Sequence, residues 1–324
     1  MALHINETEV RGILTMPMAL EAVEEISRKQ ATGHAILHPR RRFELPEGGG
    51  FFHYMAAMDM ESGFIAMKQY TYVKGTLRFL VPLYEVATGA LLALIEADFL
   101  GQQRTGAASG LATKFLARQD ARAAAIIGTG GQAKTQLEAV AAVRKLTSAR
   151  VYGRDPERRQ AFCEEMCKRL GVPVHPANSA SEAVRGADII NTATTSAKPV
   201  LDGRDIAEGA HINAIGANHA HKRELDDTAM SRADVLFVDS LEQSQQEAGD
   251  LIIPFQSRPQ KWHAVKELHQ LVAGQVPGRT SEKQITLFKS NGIAAWDLAV
   301  AEKIYLIARE RKLGKELGFF SSGK

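Results

Sequence analysis

Residues 121–133, ARAAAIIGTGGQA, constrain the fold more than any other stretch of the chain. The apolar run at 123–127 has the length of a buried strand. It breaks into Gly128-Thr129-Gly130-Gly131-Gln132-Ala133, and a helical pattern then continues through Leu137, Val140 and Val143. A glycine pattern alone is equally an ordinary tight turn. Strand, glycine turn and helix together, in the spacing G-x-G-x-x-A, are what a dinucleotide-binding unit requires. Gly128 permits the turn, Gly130 lets backbone N–H groups approach a diphosphate, and Ala133 lets the helix pack closely on the strand. The free N–H groups of the first helical turn add donors and partial positive charge.

Alternation of strand and helix continues downstream. Apolar runs at 149–152, 172–174, 188–192, 211–215 and 235–238 read as strands, with helical segments ending near Leu170 and spanning 181–184. This repetition implies a parallel, doubly wound sheet with ligands at the carboxyl ends of its strands. Thr194 and Asn218 fall just past two such ends. The strand at 149–152 ends in Gly153-Arg154-Asp155, with Arg158 and Arg159 following. Arg154 suits the 2′-phosphate of NADP and Asp155 the 2′-hydroxyl of NAD, so NADP(H) is the preferred cofactor and NAD(H) the alternative.

The first third reads differently. Residues 7–31 have helical periodicity, with Pro17 at a helix start. Arg40-Arg41-Arg42 is either an anion site or a solvated edge strand. Residues 63–73 alternate with period two, placing Phe64, Ala66, Lys68, Tyr70 and Tyr72 on one face. A lysine on a half-buried strand face is rare unless paired or functional, and desolvation lowers its pKa toward proton transfer. Two strands follow at 77–85 and 91–97, then a helix at 101–117 that carries Arg104 in its first turn and is lined by small residues. Near the C-terminus, a strand, the turn Ser290-Asn291-Gly292 and an amphipathic helix through Ala299, Ile304 and Ile307 complete the pattern.

Composition excludes several classes. The chain has 324 residues, 45% hydrophobic and 24% charged, with a formal net charge of +3. The length suits two domains, and so small a balance of interspersed charges gives no basis for binding nucleic acid or a membrane surface. No apolar run approaches the ~20 residues needed to span a bilayer. Cys163 and Cys167 lack companion metal ligands and read as reduced thiols, so no metal is expected and a cytoplasmic location is.

Taken together, the motifs resemble the ornithine cyclodeaminase/mu-crystallin family over nearly the whole chain. The likeness rests on the Pro-x-Arg around Arg41, on Lys68, on Arg104-Thr105, and on IGTGGQA, GADIINTATTS, GAHINAIGAN with RELDD following, and FKSNGIAAWD. The resemblance implies a Rossmann domain, residues 120–290, inserted in an α+β substrate and dimerisation domain made of residues 1–119 plus 291–324. It implies an NAD(P)-dependent oxidoreductase acting on a small amino or imino acid, and a homodimer. Arg41 and Lys68 would hold the substrate carboxylate, with Arg104 between substrate and phosphates. Thr76, Gly131 and Gln132 would lie near the diphosphate, and Thr194 near the adenosine. Ile215, Gly216 and Lys222 would border the nicotinamide half, with Ser290 and Asn291 closing over the ring. Asn218 stands where ornithine cyclodeaminases carry an acid/base aspartate. An amide cannot shuttle protons at neutral pH, which favours an imine reductase or amino acid dehydrogenase over a lyase. A non-catalytic, crystallin-like NADP-binding protein is the third reading.

Overall fold

The computed structural model of the chain describes residues 1–319, so the last five of the expected C-terminal segment lie outside the described residues. The chain forms two compact units, Met1–Arg104 with the segment from Gly292 onward, and Thr105–Asn291. One division falls inside the continuous helix Asp98–Leu116, whereas the sequence reading places it after residue 119. Sequence patterns mark boundaries between elements and give no sign of one inside a helix.

The first unit is built on a seven-stranded sheet. Its order is Lys315–Leu317, Ala2–Ile5, Leu91–Glu96, Thr76–Glu85, Phe64–Val73, Gly50–Asp59 and Ala35–Glu44. All neighbours are antiparallel except Ala2–Ile5 with Leu91–Glu96. Lys74 and Gly75 both have positive φ, at 48° and 82°, as a two-residue hairpin with the right-handed twist of its strands requires. The helix Ala294–Glu310 packs on the strands Phe64–Val73 and Gly50–Asp59 and against the helix Met16–Ala31. The helical stretch expected over 7–31 is two helices. Glu7–Ile13 is opened by an Asn6/Glu9 capping box, and Met16–Ala31 by Thr15 with Pro17 in its first turn. Starting the next helix at Asp98 puts Arg104 in its second turn rather than its first.

The second unit holds an eight-stranded, all-parallel sheet. Its order is Lys266–Glu267, Val235–Val238, Thr286–Lys289, His211–Ala214, Ile189–Thr192, Ala123–Ile127, Ser148–Tyr152 and Val174–Pro176. Successive residues of one strand feed opposite cores. Ala125 and Ile127 join Ile190, Ile212 and Leu287, whereas Ala124 and Ile126 join Ala149, Val151 and Ile189. Burial on both faces is why these strands read as unbroken apolar runs. The third strand begins at Val174 rather than Val172, because Gly171, left-handed at φ 68°, ends the preceding helix and the chain must turn first. Chain order reverses between Ala123–Ile127 and Ile189–Thr192, and ligands of doubly wound sheets bind at that switch point. Small residues matter here too: a side chain on Gly106 would meet the backbone of Thr135 on the helix Gly131–Val143.

Candidate active site

In the first unit, cations gather around one carboxylate. Lys68 Nζ donates to Asp297 Oδ1 at 2.9 Å, and Arg104 Nε donates to the same oxygen at 3.0 Å. Arg40 Nη2 donates to the carbonyl of Gly292 at 3.2 Å. All are buried: Arg40 and Arg104 are 6% exposed, Lys68 3% and Asp297 1%. Desolvation, then the Arg104 charge, pushes the Lys68 pKa down to about 8; Asp297 opposes this and Arg40 adds to it. A buried charge is costly unless paired. Lys68 and Arg104 share this single anion, and an anionic ligand would offset the positive charge left over. Asp297 Oδ2 and Arg104 Nη1 are buried with no hydrogen-bond partner. Glycines make room for the cluster, since a side chain on Gly101 would come within 3.0 Å of Lys68 Nζ, and one on Gly292 would strike the Arg104 guanidinium.

The arginine strand places its residues unequally. Arg41 is exposed and Arg40 is buried, and it is the Arg40 charge that bears on Lys68. The cause is a β-bulge. His38 pairs with Ala56 and Arg41 with Tyr54, so three residue steps on one strand oppose two on the other and strict alternation is lost between them. Asp297 stands at the end of the FKSNGIAAWD motif, where the sequence assigned it no role. Its signal was an acid on the apolar stripe of the last helix, in line with Ala294, Ala301 and Ile304, all buried. Thr76 is exposed at the start of its strand.

In the second unit the glycine turn has the predicted form. Gly128 has φ 120°, and a side chain there would collide with the carbonyl of Ala193. Gly130 is the N-cap of Gly131–Val143 with no side-chain cap bond, and a Cβ added to it would meet nothing within 4 Å. Gly131 is exposed and Gln132 half-buried, its Oε1 accepting no hydrogen bond. An uncapped helix N-terminus facing open space fits a diphosphate. Beyond the next strand, Asp155 is committed as N-cap of Pro156–Leu170, accepting from Arg158 N at 3.1 Å. Arg159 folds back onto the Gly153 carbonyl at 2.7 Å, and Arg154 is exposed.

The remaining expected residues lie past the strand ends. Thr194 N and Oγ1 both donate to Glu224 Oε1 at 2.7 Å, and Gly216 N donates to Oε2 at 2.7 Å. Ile215, Asn218 and Lys222 are half-buried on the neighbouring loop. Ser290 Oγ and Asn291 N donate to Asp239 Oδ2 at 3.0 and 2.6 Å. Glu224, quoted above only as part of RELDD and given no role, and Asp239, which the motifs do not include, thus fix residues expected at the site. Among the described residues no group of three or more His, Cys, Asp or Glu could hold a metal. Cys163 and Cys167 are free thiols, the first pushed up to about 11 by burial.

A doubly wound dinucleotide-binding unit joined to a sheet with a buried cation cluster defines a class of two-domain, nucleotide-dependent proteins. The chain belongs to the ornithine cyclodeaminase/mu-crystallin family, whose sequence profile matches residues 3–312. A Delta(1)-pyrroline-2-carboxylate reductase of Bacillus cereus is 40% identical over 249 residues, 76% of each chain. The solved Delta(1)-pyrroline-2-carboxylate reductase of Thermococcus litoralis, in complex with NADH and L-proline, has a TM-score of 0.93 at 37% identity. The match covers 97% of this chain and 100% of that one. An archaeal alanine dehydrogenase dimer with bound NAD has a TM-score of 0.92 at 32% identity, covering 98% and 99%.

Proposed function

We propose that the protein is an NAD(P)-dependent oxidoreductase that transfers hydride between the cofactor and the C=N carbon of a small 2-imino acid, giving an L-amino acid. The observation that carries this reading is the buried surplus of positive charge around Asp297. Arg40 and Lys68 hold the substrate carboxylate. Arg104, turned by Asp297, orients the group beside it, and Lys68 supplies the proton that appears on nitrogen. In a desolvated site these charges act at full strength on a positioned substrate. Bound nicotinamide supplies the hydride, and the residues that would hold the dinucleotide are Gly128, Gly130, Gly131 and Gln132 at the diphosphate. Thr194, Ile215, Gly216, Lys222, Ser290 and Asn291 line its two halves. Asn218 offers no titratable group for a lyase. The reductase and dehydrogenase relatives support the same assignment.

Arg40 and Arg41 test it. Arg40→Ala raises KM for the imino acid by roughly ten- to hundredfold, the worth of a charge-assisted contact, with cofactor affinity kept. Arg41→Ala stays within about twofold, because exposed charges contribute little. Steady-state kinetics of the two variants decide, and a loss confined to Arg41→Ala would refute this carboxylate site.

For the cofactor, solved relatives hold NADH or NAD, and we assign this chain a preference for NADP(H). Asp155 caps a helix through Oδ1, and Arg154 is exposed at the strand end. Arg154→Ala should weaken NADPH by about ten- to hundredfold and NADH far less. Fluorescence titration of both nucleotides reads this out, and tighter NADH than NADPH binding by the wild type overturns the preference. We further assign a homodimer, supported by the dimeric alanine dehydrogenase and by exposed Phe43, Ile36 and Leu77 on the seven-stranded sheet. A cytoplasmic location accords with the two free thiols, and no described helix is long and apolar enough to cross a membrane.

A further inference from the structure

Four hydrogen bonds converge on one fully buried carboxylate of the second unit. Glu224 Oε1 accepts from Thr194 N and Oγ1, both at 2.7 Å, and Oε2 accepts from Thr192 Oγ1 at 2.8 Å and Gly216 N at 2.7 Å. The donors sit at the ends of two adjacent parallel strands, Ile189–Thr192 and His211–Ala214, and on the loops that follow. The glutamate is itself anchored. Glu224 N and Leu225 N donate to Asp250 Oδ1 at 2.7 and 2.9 Å. Asp250 Oδ2 lies 3.0 Å from the buried Lys289 Nζ, which also donates to the Ala217 carbonyl. Lys289 ends the strand Thr286–Lys289, so one ionic cluster ties together the carboxyl ends of three parallel strands.

Such a cluster is expensive, because burying a carboxylate is offset only when its oxygens are fully bonded. Gly216 shows that the local backbone is fitted to it. A Cβ there would lie 2.5 Å from Glu224 Oε1 and would strike the backbone of Thr194. Thr194 N and Gly216 N can only donate, so each carboxyl oxygen of Glu224 accepts at least one backbone hydrogen bond. Its oxygens are consumed by protein groups, and it therefore acts through the loops it braces.

We infer that Glu224 is a positioning residue for the dinucleotide: it fixes the Thr194 loop and the Gly216 loop in their ligand-binding shape before the cofactor arrives. The inference rests on the nucleotide reading above, since a dinucleotide lies across these strand ends in a doubly wound sheet. Cofactor affinity and hydride transfer both depend on that shape, and a displacement of about 1 Å can cost about 10²-fold in rate.

The test uses the full-length chain with Glu224→Gln, which keeps size but replaces one acceptor oxygen by a donor. NADH and NADPH affinity, kcat at saturating cofactor and the melting temperature are measured together. The expected result, at a temperature well below melting, is a loss of about tenfold or more in affinity and in kcat. A merely structural role lowers the melting temperature and leaves both other quantities within about twofold, and that outcome overturns the inference. Should Glu224→Gln fail to fold, Thr192→Val deletes one of the four bonds at constant shape. It should lower affinity and kcat several-fold, and unchanged values there overturn the inference. Wild-type protein that binds neither nucleotide refutes the underlying cofactor reading instead, which keeps the two failures distinct.

Discussion

Lys68→Met is expected to lower kcat by roughly 10²–10⁴-fold, the usual contribution of a positioned general acid, with cofactor affinity nearly unchanged. Methionine keeps the length and apolar stem and removes both the charge and the proton. Were Lys68 only a carboxylate clamp, KM would rise with kcat largely kept. The pH profile separates the roles further. Burial and Arg104 bring the Lys68 pKa to about 8 from an ordinary 10.5. Reduction of the imine needs the protonated lysine, so kcat/KM in that direction should hold below about pH 8 and fall above it, and the variant should lack this limb. The same shift bears on stability. Between about pH 8 and 10.5 the unfolded chain holds a proton that the folded one has released, so stability rises with pH across that window. Below it, the buried charge is a standing cost. Urea titrations at pH 7.5 and 10 should show the rise in the wild type and not in Lys68→Met. A variant retaining wild-type kcat/KM would make the lysine structural.

Gly130→Val should abolish NAD(P)H binding while leaving a folded protein. Two glycines of this one turn differ in what surrounds them. At Gly130 the backbone has φ −86°, open to any residue, and an added Cβ meets no protein atom within 4 Å. The bulk of valine therefore falls where a diphosphate would sit, at the uncapped N-terminus of Gly131–Val143. At Gly128 the backbone has φ 120°, and an added Cβ collides with the Ala193 carbonyl. Gly128→Ala should consequently lose stability as well as cofactor. Circular dichroism melts with nucleotide titrations distinguish them. A folded Gly130→Val protein with unchanged nucleotide affinity would mean that the diphosphate lies elsewhere.

Elements with a strong period were legible from residues alone. The strand Ala123–Ile127, its glycine turn and the face of Phe64–Val73 that buries Lys68 all followed from spacing, since local pattern and tertiary burial agree there. What could not be read was set by single-residue offsets and long-range partners. The bulge between His38 and Arg41 moved the inward arginine by one position, and a bulge leaves no mark in a run of three arginines. Asp297 is separated from Lys68 by 229 residues, so their pairing is invisible to any local rule. Glu224 and Asp239 act by accepting backbone N–H groups, and sequence alone does not say which carboxylates do so. Asp155 shows the converse: an acid at the strand end, where a ribose hydroxyl is expected, also caps the helix that follows.

The most direct measurement follows NAD(P)H absorbance while a panel of 2-oxo acids with ammonia or amines, and cyclic 2-imino acids, is offered to the wild-type protein, with the product identified. The account predicts that one class of substrate consumes one reduced cofactor per L-amino acid formed, with deuterium from 4-deuterated cofactor delivered to Cα. Release of ammonia from an L-amino acid with no net change in cofactor, or tight nucleotide binding without turnover on any of these substrates, would contradict it.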